Sequence, residues 1–118
     1  MASLVVKCTW GTERPEVLLQ AFTVAATAAS SGVDVQLWLT GEATLQAVIG
    51  TDDVHLPHSP ALSELRDIVI ELGSITVCAQ CALRRDITQD DLLPGVRIAG
   101  STAFVEAIMA DGARAVVY

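Results

Sequence analysis

Residues 74–85 read Ser74-Ile75-Thr76-Val77-Cys78-Ala79-Gln80-Cys81-Ala82-Leu83-Arg84-Arg85. Ile75-Thr76-Val77 has the character of a buried strand, and the residues after Cys78 read as a helix. The handover falls at Cys78, and a C-x-x-C pair straddles it. A strand feeding directly into a helix is the building unit of a parallel sheet. The fold therefore turns on whether the same unit recurs on either side of this stretch.

It does recur. Towards the N-terminus, Leu4-Val5-Val6-Lys7-Cys8-Thr9 is a β-rich run with little alternation, as expected of a strand covered on both faces. Trp10-Gly11-Thr12 breaks it. A helix follows, with Pro15 in its first turn, where a missing N–H costs little. Its predicted apolar stripe is Val17, Leu18, Ala21, Ala25 and Ala28, and Gly32 is placed as the C′ residue that ends it. Val33–Leu39 is a second strand, and the alternation of Asp34 and Gln36 with apolar neighbours gives it one partly polar face. Thr40-Gly41-Glu42 turns into a short helix through Leu45, Val48 and Ile49. Residues 50–60 form a loop punctuated by Gly50, Pro57 and Pro60. Ser59 and Ser63 are alternative N-cap candidates for the next helix, which carries Leu62, Leu65, Ile68, Val69 and Leu72 and stops at Gly73.

On the C-terminal side, the helix after Cys78 runs from about Ala79 to Asp86. Asp90-Asp91-Leu92 makes a short turn, with the aspartates as a solvated or capping pair, and Pro94-Gly95 stops it. Val96–Ala99 is a fourth strand. A last helix from about Thr102 to Asp111 carries Phe104, Val105, Ile108 and Met109, and Ala113–Val117 is the final strand. The order β-α-β-α-α-β-α-β-α-β predicts an α/β fold, a three-layer αβα sandwich around a mostly parallel five-stranded sheet, as one domain over residues 1–118.

The bulk composition narrows the function classes. At 118 residues the chain can build one domain with a substantial core. Hydrophobic residues make up 52 %, yet no apolar run approaches the ~20 residues that a membrane span needs. The net charge of −7 weighs against nucleic-acid and anionic-membrane partners, which require basic patches. The start Met-Ala-Ser-Leu-Val-Val-Lys lacks the features of a signal peptide, so the expected compartment is the cytoplasm, where thiols are mostly reduced. Three cysteines there do not form a disulfide scaffold.

Chemistry is expected at the handover. In open α/β sheets ligands gather outside the carboxyl ends of the strands, and Cys78 stands on that edge. Free N–H groups at the start of the next helix favour a thiolate. Arg84 and Arg85 lie roughly 9–10 Å up the helix axis, too far to set the thiol's pKa alone. Cys78 and Cys81 are accordingly the predicted reactive pair, Cys81 being either a resolving thiol or an inward-facing helix residue, and Cys8 is assigned to the core. Both cysteines as core filling is the competing structural reading. A four-ligand zinc site of Cys78, Cys81, His55 and His58 is a rival, though a chain able to bury this much apolar surface has little need of one, and the expectation is no metal. Trp10, Gly11, Thr12, Thr40 and Gly41, at two strand ends, are cleft candidates, with Trp10 equally a subunit contact or loop anchor and Thr40-Gly41 equally a helix cap; His55 and His58 read as solvated loop residues whose loop could reach the same edge. Trp10-Gly11-Thr12 has neither G-x-G-x-x-G nor G-x-x-x-x-G-K-[ST], so no nucleotide or other cofactor is expected.

Val77–Ile87, VCAQCALRRDI, resembles the strand–cysteine–helix motif of the DsrE/DsrF-like proteins of sulfur relay. Trp10–Ala43, WGTERPEVLLQAFTVAATAASSGVDVQLWLTGEA, is similar to that family's first helix and second strand, and DLLPGVRIAGSTAFVEAIMADGARAVVY is similar to its C-terminal third. The resemblance implies a three-layer α/β fold related to flavodoxins, and assembly into trimers or hexamers of this chain or with related subunits. It also implies that Cys78 accepts a sulfane sulfur as a persulfide and passes it between donor and acceptor proteins. Cys81 matches a second cysteine found in some branches. Asp86 departs from the pattern, standing where a glycine is common.

Two readings follow, a sulfur-handling protein with Cys78 as acceptor, and a non-catalytic oligomeric module that binds a small molecule or partner at the cleft. A thiol–disulfide oxidoreductase is a third, weakened by the absence of a Trp-Cys-Gly-Pro-Cys signature. The transfer chemistry is thiolate attack on sulfur, for which an accessible, partly ionised thiol suffices.

Overall fold

The computed structural model describes residues 2–118. Five strands, β1 (Ser3–Cys8), β2 (Asp34–Leu39), β3 (Ser74–Cys78), β4 (Arg97–Ala99) and β5 (Ala113–Val117), form one sheet in the order β4-β3-β2-β1-β5. Every pairing is parallel. The helices are α1 (Pro15–Ser30), α2 (Leu62–Leu72), α3 (Ala79–Arg84) and α4 (Ser101–Met109).

The strand order assigns helices to faces. The steps β1→β2 and β2→β3 move one way along the sheet, so right-handed crossovers put α1 and α2 on the same face. The step β4→β5 returns across the whole sheet in the opposite direction, and α4 lies on the other face. On the α1/α2 face, Val6, Cys8, Leu37, Leu39, Ile75 and Val77 pack with Leu18, Phe22, Leu62 and Val69 in one buried core. Each such side chain contributes about 1.5–3 kcal/mol when fully removed from water. On the α4 face, pairing brings Lys7, Trp38, Thr76 and Arg97 into one row across four strands. That row is polar apart from the indole, and no α4 residue is fully buried over this face.

Local signals account for most element ends. Pro15 opens α1, and Gly32, at φ 88°, closes it as a C′ residue, with Val33 N–H on Ala28 O and Gly32 N–H on Ala29 O. The stripe of α1 is turned relative to the expected one. Leu18, Ala21 and Ala25 of that stripe are buried, joined by Leu19, Phe22, Ala26 and Ala29, whereas Val17 and Ala28 sit at its margin. Gly41–Ala47 forms a 3-10 helix, and Asp91 and Thr88 make a reciprocal cap on the turn Gln89–Asp91.

Neither Ser59 nor Ser63 is the N-cap of α2; Ala61 holds that position and caps nothing with its side chain. The orphan donors are met from a distance. Asp53 Oδ1 accepts the Ser63 N–H at 2.9 Å, its Oδ2 accepts the Ser63 hydroxyl at 2.6 Å, and Val54 O accepts the Leu62 N–H at 3.0 Å. This places the 50–60 loop at the head of α2, with His58 against α1.

Candidate functional site

Cys78 is the last residue of β3 and the cap residue of α3. Its strand parity is that of Thr76, so its side chain belongs to the α4 face, away from the packed core. It is half-buried and lines a cavity of about 230 Å³ between the carboxyl ends of the strands and the first turn of α4. Trp38 and Phe104 form one wall, edge to face, with ring centroids 5.3 Å apart. Lys7 enters from β1, its Nζ 5.9 Å from the Phe104 ring centre. Thr40, Gln80 and Ser101 complete the polar rim.

Burial pushes the Cys78 thiol up, but the N–H and thiol of Cys81, the N–H of Gln80 and the charge of Arg84 together more than reverse this. The net result is a thiol held below the ordinary value of 9.0. The free N–H groups of the first turn of α3 do this without closing a short cap hydrogen bond to the sulfur. Arg84 is the smallest of these influences, in keeping with its distance along the helix. Cys81, one turn on, is buried, and its Sγ accepts the Gly41 N–H at 3.2 Å.

That last contact depends on a close approach. Gly41 has φ 52°, and a Cβ there would stand 2.8 Å from Thr9 O. Thr9 and Thr40 share a 2.8 Å hydroxyl contact that ties the ends of β1 and β2. Arg85 fastens the other side, donating to Cys81 O at 3.2 Å and pairing with Glu42 at 3.4 Å. The cysteine turn is thus held between the 3-10 helix and the ends of two strands.

The expected cleft residues separate into groups. Thr40 lines the cavity, and Gly41 supports it through Cys81. Trp10, Gly11 and Thr12 do not line it. Gly11 is buried where a Cβ would meet Glu42 O at 2.8 Å, and Trp10 is turned outward with the Arg14 guanidinium 4.7 Å from its ring centre. His55 and His58 are also elsewhere. His55 lies exposed, 3.6 Å from Asp53, and His58 lines a separate cavity with Glu16, Gln20 and Thr23. The physical reason is the Asp53 cap, which holds their loop over the α1/α2 face. Among the described residues no cluster of three or more His, Cys, Asp or Glu side chains is placed to hold a metal, so the Cys78–Cys81–His55–His58 set is not assembled.

Lys7, Trp38, Gln80, Ser101 and Phe104 are cavity residues that sequence reading missed. The available signal was parity. Lys7, Trp38 and Cys78 fall on one face once β1, β2 and β3 are paired, and Asp34 and Gln36 already marked that face of β2 as polar.

A parallel α/β sheet with a half-buried cysteine at a strand end, its thiol lowered in pKa, defines a thiol-bearing protein of the doubly wound class. More narrowly, the chain belongs to the DsrE/DsrF-like family, whose model matches residues 10–118. No curated protein sequence matches it. Among solved structures it is similar to the ychN protein from E. coli, with TM-score 0.82 and 18 % identity, and to MTH1491, a protein of unknown function from Methanobacterium thermoautotrophicum, with TM-score 0.73 and 12 % identity. Each covers 100 % of both chains, and at these identities the likeness concerns the fold. Among the described residues, no helix is long and apolar enough to cross a membrane.

Proposed function

We propose that this protein carries sulfane sulfur on Cys78 as a homo-oligomer in the cytoplasm. The observation that carries the reading is the half-buried Cys78 thiol, lowered in pKa and open to a cavity at the head of α3. Membership of a sulfur-relay-type family supports it. In loading, the Cys78 thiolate attacks the outer sulfur of a donor, a new S–S bond forms, and the donor's remainder leaves with the electron pair of the old bond. In unloading, an acceptor thiolate takes the outer sulfur and Cys78 leaves as thiolate. Cys81 offers a second exit. Its thiolate attacks Cys78 Sγ, a Cys78–Cys81 disulfide forms, and the cargo departs as hydrosulfide; an external dithiol then resets the pair.

The test is intact-mass spectrometry after incubation with a persulfide donor. Wild type gains one sulfur atom, Cys78→Ser gains none, and Cys81→Ser holds its sulfur longer than wild type. Loading that persists in Cys78→Ser overturns the assignment.

A further inference from the structure

Among the described residues Lys7 is the one charged residue lining the Cys78 cavity. This is unexpected in a chain with 14 acidic and 7 basic residues. Among the described residues no carboxylate lies within ion-pair distance of its ammonium, which instead stands beside the Phe104 ring. A half-buried ammonium without a counter-ion, lining the same cavity as the Cys78 thiol, is a receptor for negative charge. The cavity of about 230 Å³ holds roughly eight water volumes at ~30 Å³ each, which suits a small molecule. Trp38 and Phe104 supply its apolar wall.

We propose that Lys7 is a specificity-determining residue that selects small anionic sulfane-sulfur donors for Cys78. The proposal rests on the sulfur-carrier reading and names its substrate class. Thiosulfate and the persulfides of small carboxylate-bearing thiols are of this kind. With thiosulfate, Cys78 Sγ bonds to the sulfane sulfur, the S–S bond of the donor breaks, and sulfite leaves with the electron pair. One thiolate and one dianion enter, and one persulfide anion and one dianion emerge, so no oxidant or reductant is consumed. Without Lys7 a thiolate and a dianion would repel each other on approach. The ammonium offsets this and holds the departing anion.

The experiment measures alkylation of Cys78 by iodoacetate and by iodoacetamide, localised by peptide fragmentation so that Cys8 and Cys81 are read apart. In wild type the iodoacetate-to-iodoacetamide rate ratio, normalised to free glutathione, should exceed unity by about five- to tenfold, the effect of one partly screened charge at contact range. Lys7→Met should return it to about one, the ratio cancelling any change in the thiolate fraction that both reagents share, and Lys7→Arg should retain it. In parallel, sulfur loading from thiosulfate is compared with loading from bis(2-hydroxyethyl) trisulfide, a neutral donor that hands its central sulfur to Cys78 as a mixed trisulfide while 2-hydroxyethanethiolate leaves with the electron pair. A ratio that falls in Lys7→Met, together with loading from thiosulfate, supports the proposal. A ratio unmoved by Lys7→Met overturns it even if sulfur loads from the neutral donor. A ratio that falls with no loading from either donor overturns the sulfur-carrier reading beneath it and leaves Lys7 selecting anions for another electrophile.

Discussion

Cys8 and Cys78 both end strands, yet strand parity gives them opposite chemistry. Cys8 is level with Leu39 and Val77 on the α1/α2 face and is fully buried, and burial pushes its thiol up to about 11. Cys78 lies one position further along on the opposite face, where its thiol is lowered. The two should separate in a pH series of alkylation, with Cys78 reacting half-maximally below pH 9.0 and Cys8 protected until the protein unfolds. The linkage signs also differ. The unfolded chain releases the Cys8 proton at 9.0 and the native state at about 11, so stability is full below pH 9.0 and lost as pH rises through this window. Two pKa units correspond to about 3 kcal/mol. Urea unfolding at both ends of the window should show that loss in wild type and a much smaller one in Cys8→Ala; equal losses in the two proteins would remove Cys8 as its source. Cys78 works the other way, its contribution present above 9.0 and fading as pH falls through its lowered native pKa.

At the scale of elements, the strands and long helices were legible in the sequence because burial imposes a period on them, whereas their joints were not. The cap of α2 is supplied by Asp53, ten residues before Ser63, and no local pattern encodes a hydrogen bond of that span. The Ser63 hydroxyl foremost, with the Ser63 and Val54 N–H groups and His55, holds the Asp53 carboxyl below its usual value of 3.8. Asp53→Ala should cost about 1 kcal/mol at neutral pH. The gap to wild type should close as pH falls through the lowered Asp53 pKa, since protonation removes the same interaction; a gap independent of pH would show that packing, not the carboxylate, is responsible. The end of α3 is the converse case. Ile87 N–H bonds Ala82 O at 2.9 Å and Asp86 N–H bonds Leu83 O at 3.2 Å, a Schellman closure with Asp86 at φ 54°. That is the left-handed position that glycine takes most readily, and Asp86 takes it here with a short polar side chain. Asp86→Gly should stabilise by about 0.5–1 kcal/mol and Asp86→Val should destabilise by about 1–2 kcal/mol in urea titrations.

For the whole molecule, the two faces of the sheet are covered unequally. The face with α1 and α2 is sealed, while the other carries only the nine residues of α4, none of them fully buried. The alternation that sequence reading saw in β2 was the trace of this asymmetry, but the crossover that carries α4 over Lys7 and Trp38 is a property of strand order, which periodicity does not contain. Val105 and Met109, one turn apart on α4, are 51 % and 74 % exposed, and Val117 of β5, on the same sheet face, is 65 % exposed. These residues are the natural contact for the proposed assembly, since covering them returns apolar surface from water. Sedimentation should give a trimer or hexamer for wild type, and Met109→Glu should shift it towards monomer; a wild-type monomer at micromolar concentration, or an assembly indifferent to Met109→Glu, excludes this face. The first turn of the same helix lines the Cys78 cavity through Ser101 and Phe104. Anchoring its second half in a subunit contact would fix the Phe104 wall against Trp38. Met109→Glu should therefore also slow sulfur loading of Cys78 several-fold, although Met109 is no part of the cavity, and Cys78 alkylation by iodoacetamide at matched pH should distinguish a distorted cavity from a lost thiolate.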